Sequence, residues 1–256
     1  MKVPEHSART VIITGGARRL GAAIAQRLAL SGWRVAIHHH QSSAEADAVV
    51  RAIGRGAVAL RQDLEAADAG ARLLAAARTA FGAPVTAIVN NASLFDYDTP
   101  PVVTADSLMR HHAINLSAPV MLANALAQQD DLAQGAVVNI LDQKLANLNP
   151  DFFAYSCSKA SLASATAMLA QALGPRIAVN AVAPGLTLPS ADQTEEEYAA
   201  VARINLLQRP VAADAIAQAV AFLLSARGVQ GQTLYVDNGQ RLIPRSRDVM
   251  FATRGA

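Results

Sequence analysis

The stretch that most constrains this chain is Thr10-Val11-Ile12-Ile13-Thr14, succeeded by Gly15-Gly16-Ala17-Arg18-Arg19-Leu20-Gly21. A short, β-branched apolar run reads as a buried strand. The glycines after it permit a tight turn and close approach of the backbone to a ligand. Ala22 to Leu30 then reads as a helix. Strand, glycine-rich turn and helix N-terminus together offer backbone N–H groups and the positive end of a helix dipole to a phosphate. A bare strand-to-helix turn is the competing reading. Nucleotide binding is favoured over it, because strand and helix go on alternating to the end of the chain.

Strand-like runs recur at Trp33–His38, Ala57–Gln62, Val85–Val89, Ala136–Leu141, Arg176–Val182 and Gln232–Val236. Helical patterns lie between them over 42–53, 66–81, 104–128, a Tyr155-containing stretch to about 173, and 211–224. This alternation predicts an α/β, Rossmann-type doubly wound sheet, mainly parallel, of about seven strands with helices on both faces. No Pro/Ser-rich or charged linker interrupts it, so residues 1–256 read as one domain. Within it, 186–205 is a candidate substrate lid, a loop and then a helix with the acidic run Glu195-Glu196-Glu197. An irregular C-terminal segment covers 237–256. The composition, 52% hydrophobic and 16% charged, supports a large core.

A net charge of +2, with arginines dispersed apart from Arg241, Arg245, Arg247 and Arg254, gives no nucleic-acid footprint. No apolar run is long enough for a membrane span, and Met1-Lys2-Val3-Pro4-Glu5-His6 lacks a signal-peptide core. The expectation is a cytoplasmic protein with no membrane partner. Cys157 is the single cysteine, which excludes an internal disulfide and reads as a small helix-packing residue.

Ligands of open α/β sheets bind at the carboxyl ends of strands, and the chemistry-bearing residues fall there. The second strand ends in His38-His39-His40-Gln41-Ser42 with no acid. An acid at this place would repel a ribose 2′-phosphate. Arg18 or Arg19 with His40, Gln41 and Ser42 could bind one, and His38 opens the same cofactor-facing segment, so NADP(H) is favoured over NAD. Consecutive strand residues alternate faces, so the histidines do not converge on a metal. Asp63, next to Leu64, is placed for an adenine edge or for a helix N-cap. Asn90-Asn91-Ala92-Ser93 ends the fourth strand, and Phe95 comes next in a loop, suited to stacking or to anchoring the core. Pro184-Gly185 ends the sixth, and Leu186 and Leu188 open the lid.

Tyr155 and Lys159 lie one helical turn apart on one face. A phenol has a pKa of about 10, and a nearby ammonium is expected to bring it toward the working range. Asp142 ends the 136–141 strand, and the fold carries it into the same crevice.

In this order, Thr14-Gly15 with Gly21, Asp63-Leu64, Asn90-Asn91-Ala92, Asn115, Tyr155-x-x-x-Lys159 and Pro184-Gly185 resemble the short-chain dehydrogenase/reductase family over essentially the whole chain. The resemblance implies hydride transfer from a nicotinamide. It makes Tyr155 the proton donor, Lys159 the holder of the nicotinamide ribose, and Asn115 a support for a water relay to Lys159. It also implies a homotetramer, using the helices near 104–128 and 153–173. Two positions depart from the common pattern: Arg19 replaces a glycine and Asp142 a serine. With the His-x-His segment and Asn91-Ala92-Ser93-x-Phe95, they resemble the pteridine reductases and the bacterial dihydromonapterin/dihydrofolate reductases. There, Arg19 and Ser93 would contact cofactor and pterin, Phe95 would stack the pterin on the nicotinamide, and Asp142 would work with Tyr155. Gln41 stands where that subgroup often has Arg.

Asp142 has a chemical rationale. Ketone reduction builds an oxyanion, which a neutral hydroxyl steadies and a carboxylate repels. Reduction of a C=N bond needs a proton at nitrogen, which a carboxyl group can relay. The substrate expected is therefore a small pterin or dihydrofolate-like molecule. Two other readings stand beside it: a carbonyl reductase of the same family acting on a 3-oxoacyl or sugar ketone, and a non-catalytic NADP-binding sensor.

Overall fold

The computed structural model describes residues 9–54, 56–189 and 193–252. Its seven strands are β1 (Thr10–Ile13), β2 (Arg34–His39), β3 (Val58–Arg61), β4 (Ala87–Asn90), β5 (Gly135–Ile140), β6 (Ile177–Pro184) and β7 (Thr233–Val236). They form one sheet in the order β3-β2-β1-β4-β5-β6-β7. Every pairing is parallel, with β1 between β2 and β4 in registers such as Ile12↔Ala36 and Ile12↔Ile88. The expected fold class is therefore met, and the sheet is wholly rather than mainly parallel. Both faces of such a sheet must be covered, so its strands read as continuous apolar runs.

Eight α-helices supply the cover: α1 (Arg19–Leu30), α2 (Ser43–Ile53), α3 (Ala69–Phe81), α4 (Ala105–His112), α5 (Ala118–Ala127), α6 (Phe153–Leu173), α7 (Glu195–Val201) and α8 (Ala213–Ser225). On one face Ile24 and Leu28 of α1, Val49 of α2 and Ile216 and Val220 of α8 pack against Val11, Ile13, Val35 and Ile37. On the other, Leu73 of α3 and Leu122 and Leu126 of α5 pack against Ile12, Ala36, Ile88 and Val137. Each fully buried Leu or Ile contributes about 1.5–3 kcal/mol.

The reading of 104–128 as one long helix needs correction. Between α4 and α5 the chain takes a π turn over Ala113–Ser117. Pro119 has no N–H to give to the carbonyl of Asn115 four residues earlier, so the α-helical bond cannot form there. The wider turn buries Asn115. The acidic run 195–197 is the first turn of α7, with Thr194 and Glu197 forming a capping box. Ser190 of the lid and Arg254 of the tail lie outside the described residues.

The turn after β1 shows how tightly sequence specifies this end of the sheet. Gly15 has φ +61°, and a Cβ on Gly21 would stand 2.2 Å from the Gly15 carbonyl oxygen and 2.7 Å from the Asn91 side chain. Helix α1 can sit this close to the turn only without a side chain at 21. Gly21→Ala is expected to destabilise by about 1–3 kcal/mol, as overpacking generally does, read as a lower urea midpoint with unchanged slope.

Candidate active site

The sheet's connections reverse direction at β1 and β4, and the crevice between their carboxyl ends is the ligand position of this fold class. Thr14 Oγ accepts the N–H groups of Asn91 (2.9 Å) and Ala92 (3.0 Å), and the Asn91 amide donates to the Thr14 and Gly15 carbonyls. Asn90 donates to Asn139 Oδ1 at 2.8 Å, and Asn139 to Thr166 of α6 at 2.9 Å. These bonds join β1, β4, β5 and α6 behind the crevice.

Helix α1 opens with no side-chain cap and no acidic residue in its first turn. Its first N–H groups have no intrahelical acceptor, a donor set that fits the diphosphate of a dinucleotide. Arg19 keeps the left-handed backbone that glycine favours, φ +53°, at about 1–2 kcal/mol for an L-residue. Its guanidinium donates to the Pro189 carbonyl, so it ties the turn to the lid loop. Arg18 is exposed and pairs with Glu45 of α2 at 3.5 Å. This ties the start of α1 to that of α2, before which His40 and Gln41 are exposed and Ser42 half-buried. Leu20 is half-buried and packs on the core beneath.

His38 is not a free phosphate ligand. Its Nδ1 accepts the Gly15 N–H at 3.1 Å and its Nε2 meets the Gln62 carbonyl at 2.9 Å. That pairing requires the neutral Nε2–H tautomer. Burial lowers its pKa to about 4; the Gln62 carbonyl opposes the shift, and His39 and His40 add to it. His38 is a strut for the glycine turn. The neighbouring His39 is also buried, and its Nδ1 has no partner. Asp63 caps neither α3 nor a longer helix: its carboxylate accepts the Glu65 N–H at 3.0 Å in a turn, and α3 begins only at Ala69, after Asp68. Leu64 is core.

The crevice floor is built from β5, α6 and the π turn. Asp142 comes just after β5 and caps the short 3₁₀ turn Gln143–Ala146, its Oδ1 accepting the Lys144 N–H at 2.8 Å. Its Oδ2 accepts the Tyr155 hydroxyl at 2.8 Å. The first turn of α6 is held by Asp98, whose carboxylate accepts the Ala154 N–H at 3.0 Å. Lys159 is buried, donates to the Ile140 carbonyl at 2.8 Å, and has Nζ 5.7 Å from the Tyr155 ring centre. Asn115 accepts the Leu94 N–H at 2.8 Å and donates to the Leu94 carbonyl (3.0 Å) and Ser158 (2.9 Å). Ser93 is exposed, with Oγ 3.2 Å from Asn115.

The electrostatics reverse one expectation. Tyr155 is not brought toward neutral pH by Lys159. Its pKa is raised well above the usual value, first by burial and then by the Asp142 charge. Loss of water also raises the Asp142 carboxyl, against the Lys144 N–H and the Tyr155 hydroxyl. Lys159 is lowered to about 8 by burial, partly offset by Asp142. In this geometry Tyr155 is a neutral phenol that donates to a carboxyl.

Phe95 lies 4.2 Å from Phe152, nearly parallel, and 4.6 Å edge-on from Tyr155, and remains 39% exposed. Tyr97 and Phe251 extend this aromatic wall. At the lid, Gly185 donates to the Val236 carbonyl (3.0 Å), Leu186 N–H to Gln240 (2.8 Å), and the Tyr198 hydroxyl to the Thr187 carbonyl (2.6 Å). Pro184 ends β6, and Leu186 and Leu188 are half-buried. Sequence patterns marked Thr14 only as part of the glycine motif, and did not mark Asp98, Phe152 or Ser158 for the site.

Known proteins resemble this chain in sequence and fold. A family model described as Enoyl-(Acyl carrier protein) reductase matches residues 15–241. A short-chain type dehydrogenase/reductase of Picea abies is 30% identical over 91% of this chain and 92% of its own. The chain belongs to the short-chain dehydrogenase/reductase family. Within it, a crystal structure of FolM alternative dihydrofolate reductase 1 from Brucella suis in complex with NADP is 39% identical. It superposes with a TM-score of 0.88 over 93% of this chain and 96% of that one. The dihydromonapterin reductase of Klebsiella pneumoniae is 27% identical over 93% of this chain and 99% of its own. Among the described residues no helix is long and apolar enough to cross a membrane, and no cluster of metal-ligand type occurs.

The His38 strut makes folding stability pH-dependent. The native pKa, about 4, lies below the unfolded value of about 6.5. The contribution is therefore complete above pH ~6.5 and declines as pH falls toward 4, by at most about 3 kcal/mol. Urea unfolding is expected to show weaker stability over that window in the wild type. His38→Asn should be less stable at neutral pH and lack that part of the decline.

Proposed function

We propose that this protein is an NADPH-dependent reductase of a C=N bond in a pterin or dihydrofolate-like ring. The carrying observation is the Tyr155–Asp142 hydrogen bond, 2.8 Å long, in a desolvated crevice. Burial favours the protonated forms of both groups. A neutral phenol backed by a carboxyl group can deliver a proton to a ring nitrogen and be resupplied from behind. The likeness to the FolM and dihydromonapterin reductases supports the same substrate class.

Bound NADPH supplies the hydride. For its binding, the residues fit: uncapped N–H groups at the start of α1 for the diphosphate, and Arg18, His40, Gln41 and Ser42 with no free acid for the 2′-phosphate. Glu45, the acid in reach, is already paired with Arg18. Asn91, Ala92, Pro184 and Gly185 would border the nicotinamide end, and Lys159 would hold its ribose. Tyr155 gives its proton to substrate and is resupplied through Asp142. The Asn115 side chain is engaged by Leu94 and Ser158, so a relay toward Lys159 falls to its backbone carbonyl, which Pro119 leaves without an α-helical donor. The exposed Phe95 beside Tyr155 would receive a planar ring, with Ser93, Arg19, Leu186 and Leu188 as the other proposed substrate contacts. Exposed Met109, Met121 and Met168 on α4, α5 and α6 support assembly into a homotetramer through those helices.

NADPH consumption with dihydropterins, dihydrofolate and a ketone panel tests this reading. Pterin turnover is expected, and Asp142→Ser should lower its kcat/KM about 100-fold or more, as for loss of a positioned proton donor. Turnover of ketones alone, retained or improved by Asp142→Ser, would sink it in favour of a carbonyl reductase. Tight NADPH binding without turnover of any acceptor would leave the sensor.

A further inference from the structure

Two charged residues that the proposed chemistry does not use, Lys144 and Asp248 of the C-terminal segment, converge on the turn carrying Asp142. Lys144 is 4% exposed. Its Nζ donates to the Asp151 carbonyl at 2.7 Å and to Asp248 Oδ2 at 2.8 Å, and lies 5.5 Å from the centre of the Phe152 ring. Asp248 is equally committed. Its Oδ1 accepts the Met250 N–H at 3.1 Å, capping a last 3₁₀ turn, and its own N–H donates to Asp151 Oδ2 at 2.7 Å. Met250, in that turn, packs with Phe152 and Tyr155.

A lysine this buried requires a partner and a reason for its position. The backbone of Lys144 donates the bond that fixes Asp142 Oδ1, while Tyr155 donates to the other carboxyl oxygen. The Lys144 side chain sets where that backbone lies. It does so by gripping the loop before α6 on one side and the end of the chain on the other. We propose that Lys144 and Asp248 are a positioning pair that holds Asp142 against Tyr155 and makes the last turn of the chain part of the proton-delivery site. This rests on the reading of Asp142 and Tyr155 as the proton-delivery couple.

The pair also carries opposed charges close to that couple. The Asp248 charge raises both Asp142 and Tyr155, whereas the Lys144 charge lowers Asp142. Other charged groups stand nearby. Lys159 faces Asp142 from α6, and the Asp151 carboxylate is neutralised by Arg247 at 2.8 Å and accepts the Tyr97 hydroxyl. On Asp142, Lys144 and Asp248 thus act with opposite signs. Removing either one leaves the other to act alone, with opposite sign.

Infrared titration of the Asp142 carboxyl in the full chain tests this without any substrate, the band being assigned by its loss in Asp142→Asn. Lys144→Gln should tighten proton binding at Asp142 about threefold to tenfold, and Asp248→Asn should loosen it by a similar factor. The kcat pH profile, on whichever acceptor the enzyme turns over, should move the same way in each variant. A residue that serves only stability would not give opposed displacements. Midpoints unmoved, or moved in one direction by both variants while both melt cooperatively, would overturn the proposal. Should Lys144→Gln fail to fold, Asp248→Asn decides alone, since it keeps the cap on Met250. A protein that reduces only ketones removes the pterin reading and leaves the infrared result to stand by itself.

Discussion

The site depends first on the stitching of β1 to β4 at the point where the sheet's connections reverse. Parallel strands diverge there, and their carboxyl ends would leave unpaired backbone groups around an open crevice. Thr14 closes the gap by accepting two successive N–H groups from Asn91 and Ala92. Asn91 answers with its amide on the Thr14 and Gly15 carbonyls. His38 then fixes the Gly15 N–H from the β2 side. Three strand ends are locked with local bonds, so the start of α1 can remain uncapped. The first donors of α1 thus stay available above a turn held by Thr14, Gly15 and His38.

The legible part of this fold was what local chemistry writes into contiguous residues. Strand runs such as Val11–Ile13 and Ala87–Val89, the glycines at 15 and 21, and the one-turn spacing of Tyr155 and Lys159 all state their structure within a few positions. Pro119 also stated its consequence, a carbonyl at 115 with no α-helical donor, although a helical pattern running through it concealed the π turn. A histidine at a strand end, such as His38, offers the same letters as a ligand or as a strut. Only its two partners, Gly15 and Gln62, decide between them. Asp63 likewise offered a cap, and the turn to Glu65 claimed it.

What sequence could not reveal is contact across long separations. The pairing of Lys144 with Asp248 spans 104 positions, and that of Asp151 with Arg247 spans 96. Neither has a spacing rule. The irregular tail carries no periodicity, yet it supplies Phe251 to the aromatic wall and Met250 to the cluster around Tyr155. Arg19 is a further case: its positive φ is tolerated because the side chain reaches the Pro189 carbonyl, 170 positions away.

Burial explains why the tyrosine behaves differently from a phenol beside an ammonium. Lys159 directs Nζ to the Ile140 carbonyl rather than to the Tyr155 oxygen, so its charge is partly taken up by a backbone dipole. The Tyr155 hydroxyl meets a carboxyl instead, and Phe95, Phe152 and Met250 remove water from around it. Apolar surroundings disfavour every charged form, so burial pushes both Asp142 and Tyr155 toward their protonated forms. A carboxyl group hydrogen-bonded to a phenol sets a second proton-carrying group directly behind the first. Replacing a serine by Asp142 would therefore be of little use in a wet crevice. The dry surroundings come from the loop carrying Phe95 and from Met250 and Phe251, which pack around Phe152 and Tyr155.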